Sequence, residues 1–185
     1  MTHNMNTVAN LLERIAIALE TRNHPALQEG FFDYGKKVFA NIVQGNGDGW
    51  YTLNDGVATT LKPIVRGRVA ALRFPTVERR NQEVRKFHLL MSVDDEVVTF
   101  ESGHNCFFSK TILAALAATP PEVLALPIQI ASYPKRLNTG DTTLAVSIRD
   151  SAGNQLPCEW TNDDDWRAIS RAAIANVNAA VSSRQ

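Results

Sequence analysis

Sulfur, excess charge and long apolar runs are all in short supply in this chain, and each shortage removes a class of function. Two cysteines, Cys106 and Cys158, stand among 185 residues. That is too few for a disulfide framework, and both read as free thiols suited to a reducing compartment. The close paired spacing of structural zinc sites is missing, as is the H-x-E with C-x-x-C of zinc deaminases, so neither metal nor cofactor is expected. No apolar run approaches the roughly 20 residues of a membrane span. The first seven residues carry neither the basic nor the apolar region of a secretory signal, and the expectation is a cytoplasmic protein. Basic and acidic residues balance at 19 each. The whole molecule therefore exerts no pull on nucleic acid, and any such binding must come from a local patch.

Glycine is concentrated in one stretch, Gly45-Asn46-Gly47-Asp48-Gly49. A phosphate loop needs a lysine and a hydroxyl directly before a helix, and a dinucleotide fingerprint needs a strand before and a helix after. Here Trp50-Tyr51-Thr52-Leu53 follows and Asn54-Asp55-Gly56 turns the chain again, so the stretch reads as a linker or hairpin turn. Before it, Val8, Leu11, Leu12, Ile15, Ala16 and Leu19 recur at helical spacing. A second helix is expected from Pro25 to about Val43, carrying Leu27, Phe31, Tyr34, Val38 and Ile42.

After Pro63 the apolar period changes to two, which predicts strands. The first runs over Val65–Phe74, with Val65, Gly67, Val69 and Ala71 on one face and Arg66, Arg68, Ala70, Leu72 and Phe74 on the other. Gly67 can allow a bend or a close approach. Pro75–Gln82 reads as a hairpin loop. The second strand, Val84–Val93, turns Phe87, Leu89, Met91 and Val93 inward and Lys86, His88, Leu90 and Ser92 outward. Asp94-Asp95 turns the chain into a third strand, Glu96–Ser102. Ser109 is the expected cap of a helix through Ala118, stopped by Pro120-Pro121. A fourth strand follows over Pro127–Tyr133, then a loop from Tyr133 to Gly140. A fifth holds Leu144, Val146 and Ile148, and a last strand Leu156, Cys158 and Trp160. Thr161 or Asn162 caps a terminal helix whose stripe is Trp166, Ile169, Ala173, Val177 and Val181.

Over Lys62–Trp160 this order of elements resembles OB-fold single-strand-binding proteins. The resemblance implies an α+β protein: a five- or six-stranded antiparallel barrel with a helix between strands three and four, and helical additions at both ends. The expected organisation is an N-terminal helical extension and linker over residues 1–56, a barrel over 57–161 and a C-terminal helix over 162–185. The resemblance also implies that ligand lies across strands two and three, flanked by the first hairpin loop and the loop between strands four and five.

Charge points the same way. Between Lys62 and Lys86 stand eight basic residues against Glu78 and Glu83. Basic groups that track phosphates, interleaved with aromatics that stack on bases, suit single-stranded nucleic acid. The expected binding residues are Arg66, Arg68, Arg73, Phe74, Arg79, Arg80, Arg85, Lys86, His88, Tyr133, Lys135 and Arg136. Arginines also populate the solvent face of edge strands, which is the plain structural account of the same run. The expected function is non-catalytic binding of single-stranded DNA or RNA with low sequence specificity. The alternative is a protein-protein adaptor, or a homodimer, docking through the terminal helices. His104 and Cys106 are the one conceivable nucleophilic pair, but no third orienting group accompanies them, so no enzyme activity is expected. Asp94, Asp95 and Glu96 read as a solvated hairpin tip.

Overall fold

Residues that alternate apolar and polar in sequence also alternate across the faces of a sheet. The computed structural model describes residues 36–40 and 49–184. In chain order its elements are β1 (Lys37–Phe39), β2 (Tyr51–Asn54), β3 (Val57–Thr60), β4 (Ile64–Arg73), β5 (Thr76–Arg79), β6 (Gln82–Val93), β7 (Glu96–Gly103), α1 (Phe107–Ala118), α2 (Pro121–Leu124), β8 (Ile128–Arg136), β9 (Thr142–Arg149) and α3 (Trp166–Ser182). Phe87, Leu89 and Met91 are wholly buried, as their period predicts. Three tight turns join neighbouring strands at Asp55-Gly56, Arg80-Asn81 and Asp94-Asp95, each with positive φ at both positions. That conformation matches the right-handed twist of paired strands.

The strands form one nine-stranded sheet in the order β3-β2-β1-β7-β6-β4-β8-β9, with β5 also paired to β6. All pairings are antiparallel except β1 with β7. The sheet is open, with β3 and β9 at its ends, so the expected OB-like barrel does not form. The reason lies at β7, whose outer edge is taken by β1, with Val38 opposite Phe100. A barrel must return that edge to a later strand to close. The expected second helix is corrected at the same point. Lys37–Phe39 is extended, turning Val38 into the core beside Ala40 while Lys37 stays exposed. The first helix and the start of the second lie outside the described residues.

Three further boundaries shift. The expected loop Pro75–Gln82 is mostly strand: β5 continues β4 along the same edge of β6, Thr76 opposite Arg85 and Arg79 opposite Gln82. The expected loop at Tyr133–Arg136 is the end of β8, paired through to Arg136–Thr142. Beyond β9 only a single bridge forms, Arg149 to Gln155, so Leu156–Trp160 is not a strand. Both long helices begin away from the expected caps. Cys106 is the N-cap of α1, and Ser109 sits inside the first turn, accepting from the Cys106 backbone N–H. Asp165 caps α3 by accepting from the N–H groups of Arg167 and Ala168.

Strand β4 serves two partners. Ile64–Gly67 pair with β8, and Arg68–Arg73 pair with β6. At the crossing a Cβ on Gly67 would overlap the Ser92 carbonyl oxygen and lie 2.8 Å from Val93 Cγ2, so only glycine fits. A bulge between Val69 and Ala71 then reverses the faces, setting Leu72 opposite Leu89. Leu72 and Phe74 thereby join the core side with Val69, which corrects the expectation that Phe74 shares a face with Arg66 and Arg68.

One face of the sheet is covered by α1 and α3. Phe108, Ile112, Leu113, Ala115 and Leu116 of α1 pack with Phe87, Phe100, Ile128, Ile130 and Ile148. The stripe of α3 turns inward onto α1, α2 and β4, with Ala173, Val177 and Ala180 buried. Arg184, after α3, donates to the carbonyls of Val69 at the bulge and of Leu124. Trp50, expected in a connecting segment, is buried against Phe100 and donates its indole N–H to the Lys62 carbonyl. These described residues belong to one compact unit, Tyr34–Gln185. No helix among them is long and apolar enough to cross a membrane.

Two substitutions test this packing. Gly67→Ala is expected to cost about 2 kcal/mol through overpacking at the crossing, and Val177→Ala about 2 kcal/mol through lost burial and a residual cavity. Urea unfolding followed by circular dichroism measures both. Wild-type midpoints in both variants would refute the crossing and the inward docking of α3.

Candidate functional site

The twelve expected binding residues do not share a surface. Arg66 reaches the Ser151 carbonyl and Arg68 the Ala125 carbonyl. Arg80 occupies a tight turn, and Lys86 pairs opposite Gly103. Tyr133, Lys135 and Arg136 lie exposed at the far end of β8, where the Lys135 ammonium sits 4.7 Å from the Phe107 ring centroid. The remainder divides between two places: Arg79 and His88 contact Glu101, with Arg73 opposite His88, while Phe74 and Arg85 line a cleft.

Glu101 projects from β7 on the face turned away from α1 and α3, yet is only 3% exposed. Alternation explains its direction, because Val98, Phe100 and Ser102 point into or beside the core and leave position 101 to the other face. Lys37 of β1 lies 2.5 Å from its carboxylate, His88 Nε2 donates to it at 3.1 Å, and Arg79 approaches at 3.4 Å. Burial alone would raise the Glu101 pKa, but hydrogen bonds from Lys37 and His88, with their charges, outweigh it and hold the group below the usual carboxylate range. For His88, burial dominates and lowers the pKa, aided by the charges of Lys37 and Arg73 and opposed by Glu101. The imidazole is thus neutral near pH 7 and serves as a donor. This cluster ties β1, β5 and β6 to β7, and its acid answers the charge of its own neighbours.

The cleft lies on the opposite side, where α1 and α3 meet the end of β4 and the start of β6. Its volume is about 770 Å³, and it is lined by Phe74, Arg85, His104, Asn105, Lys110, Leu113, Trp166, Arg167, Ser170, Arg171 and Ile174. Helical spacing assembles it: positions 166, 167, 170, 171 and 174 share one side of α3, and 110 and 113 one side of α1. Asn176 fixes the two walls by donating its amide to the carbonyls of Leu116, Ala117 and Thr119 at the end of α1. No carboxylate lines the cleft among the described residues. Asp164 and Asp165, close by in sequence, are engaged with Thr161 and with the α3 cap.

Aromatic rings hold two of the cations. The Arg85 guanidinium lies 5.4 Å from the Phe74 ring centroid. The Lys110 ammonium lies 4.9 Å from Trp166 and 5.2 Å from Trp160, and donates to Asn162 at 3.0 Å. The guanidiniums of Arg85, Arg167 and Arg171 have no carboxylate partner among the described residues. Trp166 Nε1 is buried without an acceptor there. His104 donates Nδ1 to the Arg85 carbonyl at 3.0 Å, and the Cys106 thiol lies 3.6 Å from Ser109 Oγ, so each has a local partner. Both cysteines are free, and no group of three metal-binding side chains occurs among the described residues.

Sequence reasoning missed Lys110, Arg167 and Arg171 as a group. A signal was present: neither Phe107–Ala118 nor Trp166–Ser182 contains an acid, so their basic residues lack helical counter-charges. Compared with protein-family models, with curated proteins and with solved structures, the chain finds no match.

The Glu101 cluster generates a pH prediction. A folded-state pKa lowered for His88 means the unfolded chain takes its proton first, so stability present above about pH 6.5 is lost as pH falls. Glu101 adds a further loss below about pH 4.5 by the same sign. Urea midpoints should therefore decline progressively on acidification. His88→Gln should flatten the upper part of that decline, and Glu101→Gln should cost about 2 kcal/mol near neutrality by removing the charge that Lys37 and His88 hydrogen-bond. An upper slope unchanged in His88→Gln would remove His88 as its source.

Proposed function

We propose that this protein is a non-catalytic binding module that takes single-stranded nucleic acid, as an anionic polymer, in the cleft between α1, α3 and the β4–β6 edge. One observation carries the reading: Arg85, Lys110, Arg167 and Arg171 converge on a space that no carboxylate lines among the described residues. Arg85, Arg167 and Arg171 are exposed and Lys110 half-buried; like charges gathered around one cleft repel one another, and an anion relieves that repulsion. The volume suits a few units of a single strand rather than a duplex, since pockets of this size enclose ligands of small-molecule dimensions. The site differs from the barrel face expected from sequence, and it draws only Phe74 and Arg85 from the residues named there. Docking through the terminal helix is less favoured, because the stripe of α3 is spent on its own chain.

The test is fluorescence anisotropy with labelled single-stranded DNA, single-stranded RNA and duplex. About four phosphate contacts should give a logarithmic salt slope of about −3 for a single strand. Arg167→Glu with Arg171→Glu should abolish binding while leaving the circular dichroism spectrum unchanged, and duplex should bind more weakly. Absence of binding at low salt, or an affinity indifferent to salt or to the charge reversal, would end this reading.

A further inference from the structure

Resting on that reading, we propose that the cleft recognises the phosphate groups of its ligand and not its bases. Stacking of a base needs an open aromatic face, and each of the rings Phe74, Trp160 and Trp166 already has a cation and a second ring against it. Phe74 carries the Arg85 guanidinium and meets Phe87 edge-on, with ring centroids 5.8 Å apart. Trp166 carries Lys110 and is set at 77° to Trp160. Trp160 in turn carries Lys110 and tilts against Phe107, 5.1 Å between centroids.

The rings therefore act as holders of cations. A guanidinium or ammonium fixed over a ring loses little further freedom when an anion arrives, which strengthens charge recognition without base contacts. Arg167 and Arg171 stand one helical turn apart, with Cβ atoms about 5–6 Å from each other. That interval is of the order of the spacing between successive phosphates in an extended strand. The forked guanidinium suits phosphate oxygens, to which it can donate in pairs. The shared ligand chemistry is the phosphate ester, whether in a polymer backbone or in a free phosphorylated compound.

The experiment compares three twelve-unit probes on the full chain: oligo-deoxythymidine, an abasic deoxyribose-phosphate strand and a thymine peptide nucleic acid, which keeps the bases but lacks phosphates. The abasic strand should bind within about twofold of oligo-deoxythymidine, and the peptide nucleic acid at least tenfold more weakly, as expected when charge supplies the affinity. Phe74→Leu frees Arg85 from its ring, and Arg171→Ala removes an exposed cation; each should weaken the first two probes by the same factor. Inorganic phosphate at matched ionic strength separates the sources. Displacement of the strand assigns a free phosphate ester as a ligand, and no displacement assigns the polymer backbone; both keep phosphate as the recognised group. An abasic strand bound tenfold more weakly, or a Phe74→Leu effect confined to oligo-deoxythymidine, would overturn this inference while leaving strand binding intact. Failure of every probe would instead bring down the function on which it rests.

Discussion

Strand β4 has to pair with two different strands along its length, and the rest of the described structure depends on how it does so. Its first residues join the β8–β9 hairpin, its later ones join β6, and the change of partner happens at Gly67, where β4 approaches the Ser92 backbone too closely for any side chain. Without that approach the β8–β9 pair would have no hydrogen-bonded link to the other seven strands. The bulge at Ala70 follows directly and rotates the end of β4, so that Phe74 faces the helices instead of the opposite side. A backbone irregularity thus delivers the first side chain of the cleft.

The two faces of the sheet handle positive charge in opposite ways. On one, Glu101 is buried among Lys37, Arg79 and His88, with Arg73 nearby, and its carboxylate answers the cations around it. On the other, Arg85 and Lys110 lie against aromatic rings, and no acid lines the cleft among the described residues. A basic stretch that looks uniform along the chain is therefore divided by the pleat. Arg79 pairs with Glu101 on one face, with Arg73 beside His88, while Arg85 lines the cleft on the other. The division also explains why a neutral overall composition is compatible with a strongly basic local site.

The walls of the cleft are tied together by contacts both behind it and within its lining. Asn176 closes the carbonyl end of α1, Arg184 clamps the bulge of β4 to the end of α2, and Lys110 is held by two indoles and Asn162. These ties fix the two helical walls and the position of Lys110.

By itself the sequence determined the local elements. Period-two alternation placed the three long strands from Val65 to Ser102 to within a few residues, the Asp94-Asp95 turn between two of them, and a glycine at the position of closest approach. The amphipathic stripe of Trp166–Val181 marked the buried side of the last helix. These features depend on near neighbours, through backbone geometry and the direction of successive side chains. What only the tertiary structure decided was which edges meet. A strand as short as Lys37–Phe39 leaves almost no periodic signal, yet it occupies the edge of β7 and keeps the sheet open where the order of elements suggested a barrel. The bulge at Ala70 inverted the face of Phe74, and the pairing of β5 with β6 drew Arg79 away from a loop toward Glu101. The cleft joins residues from position 74 to position 174. Three of its four cations stand on helices whose lack of acids was readable, but whose nearness to each other and to Arg85 of β6 was set by long-range packing that no local pattern encodes.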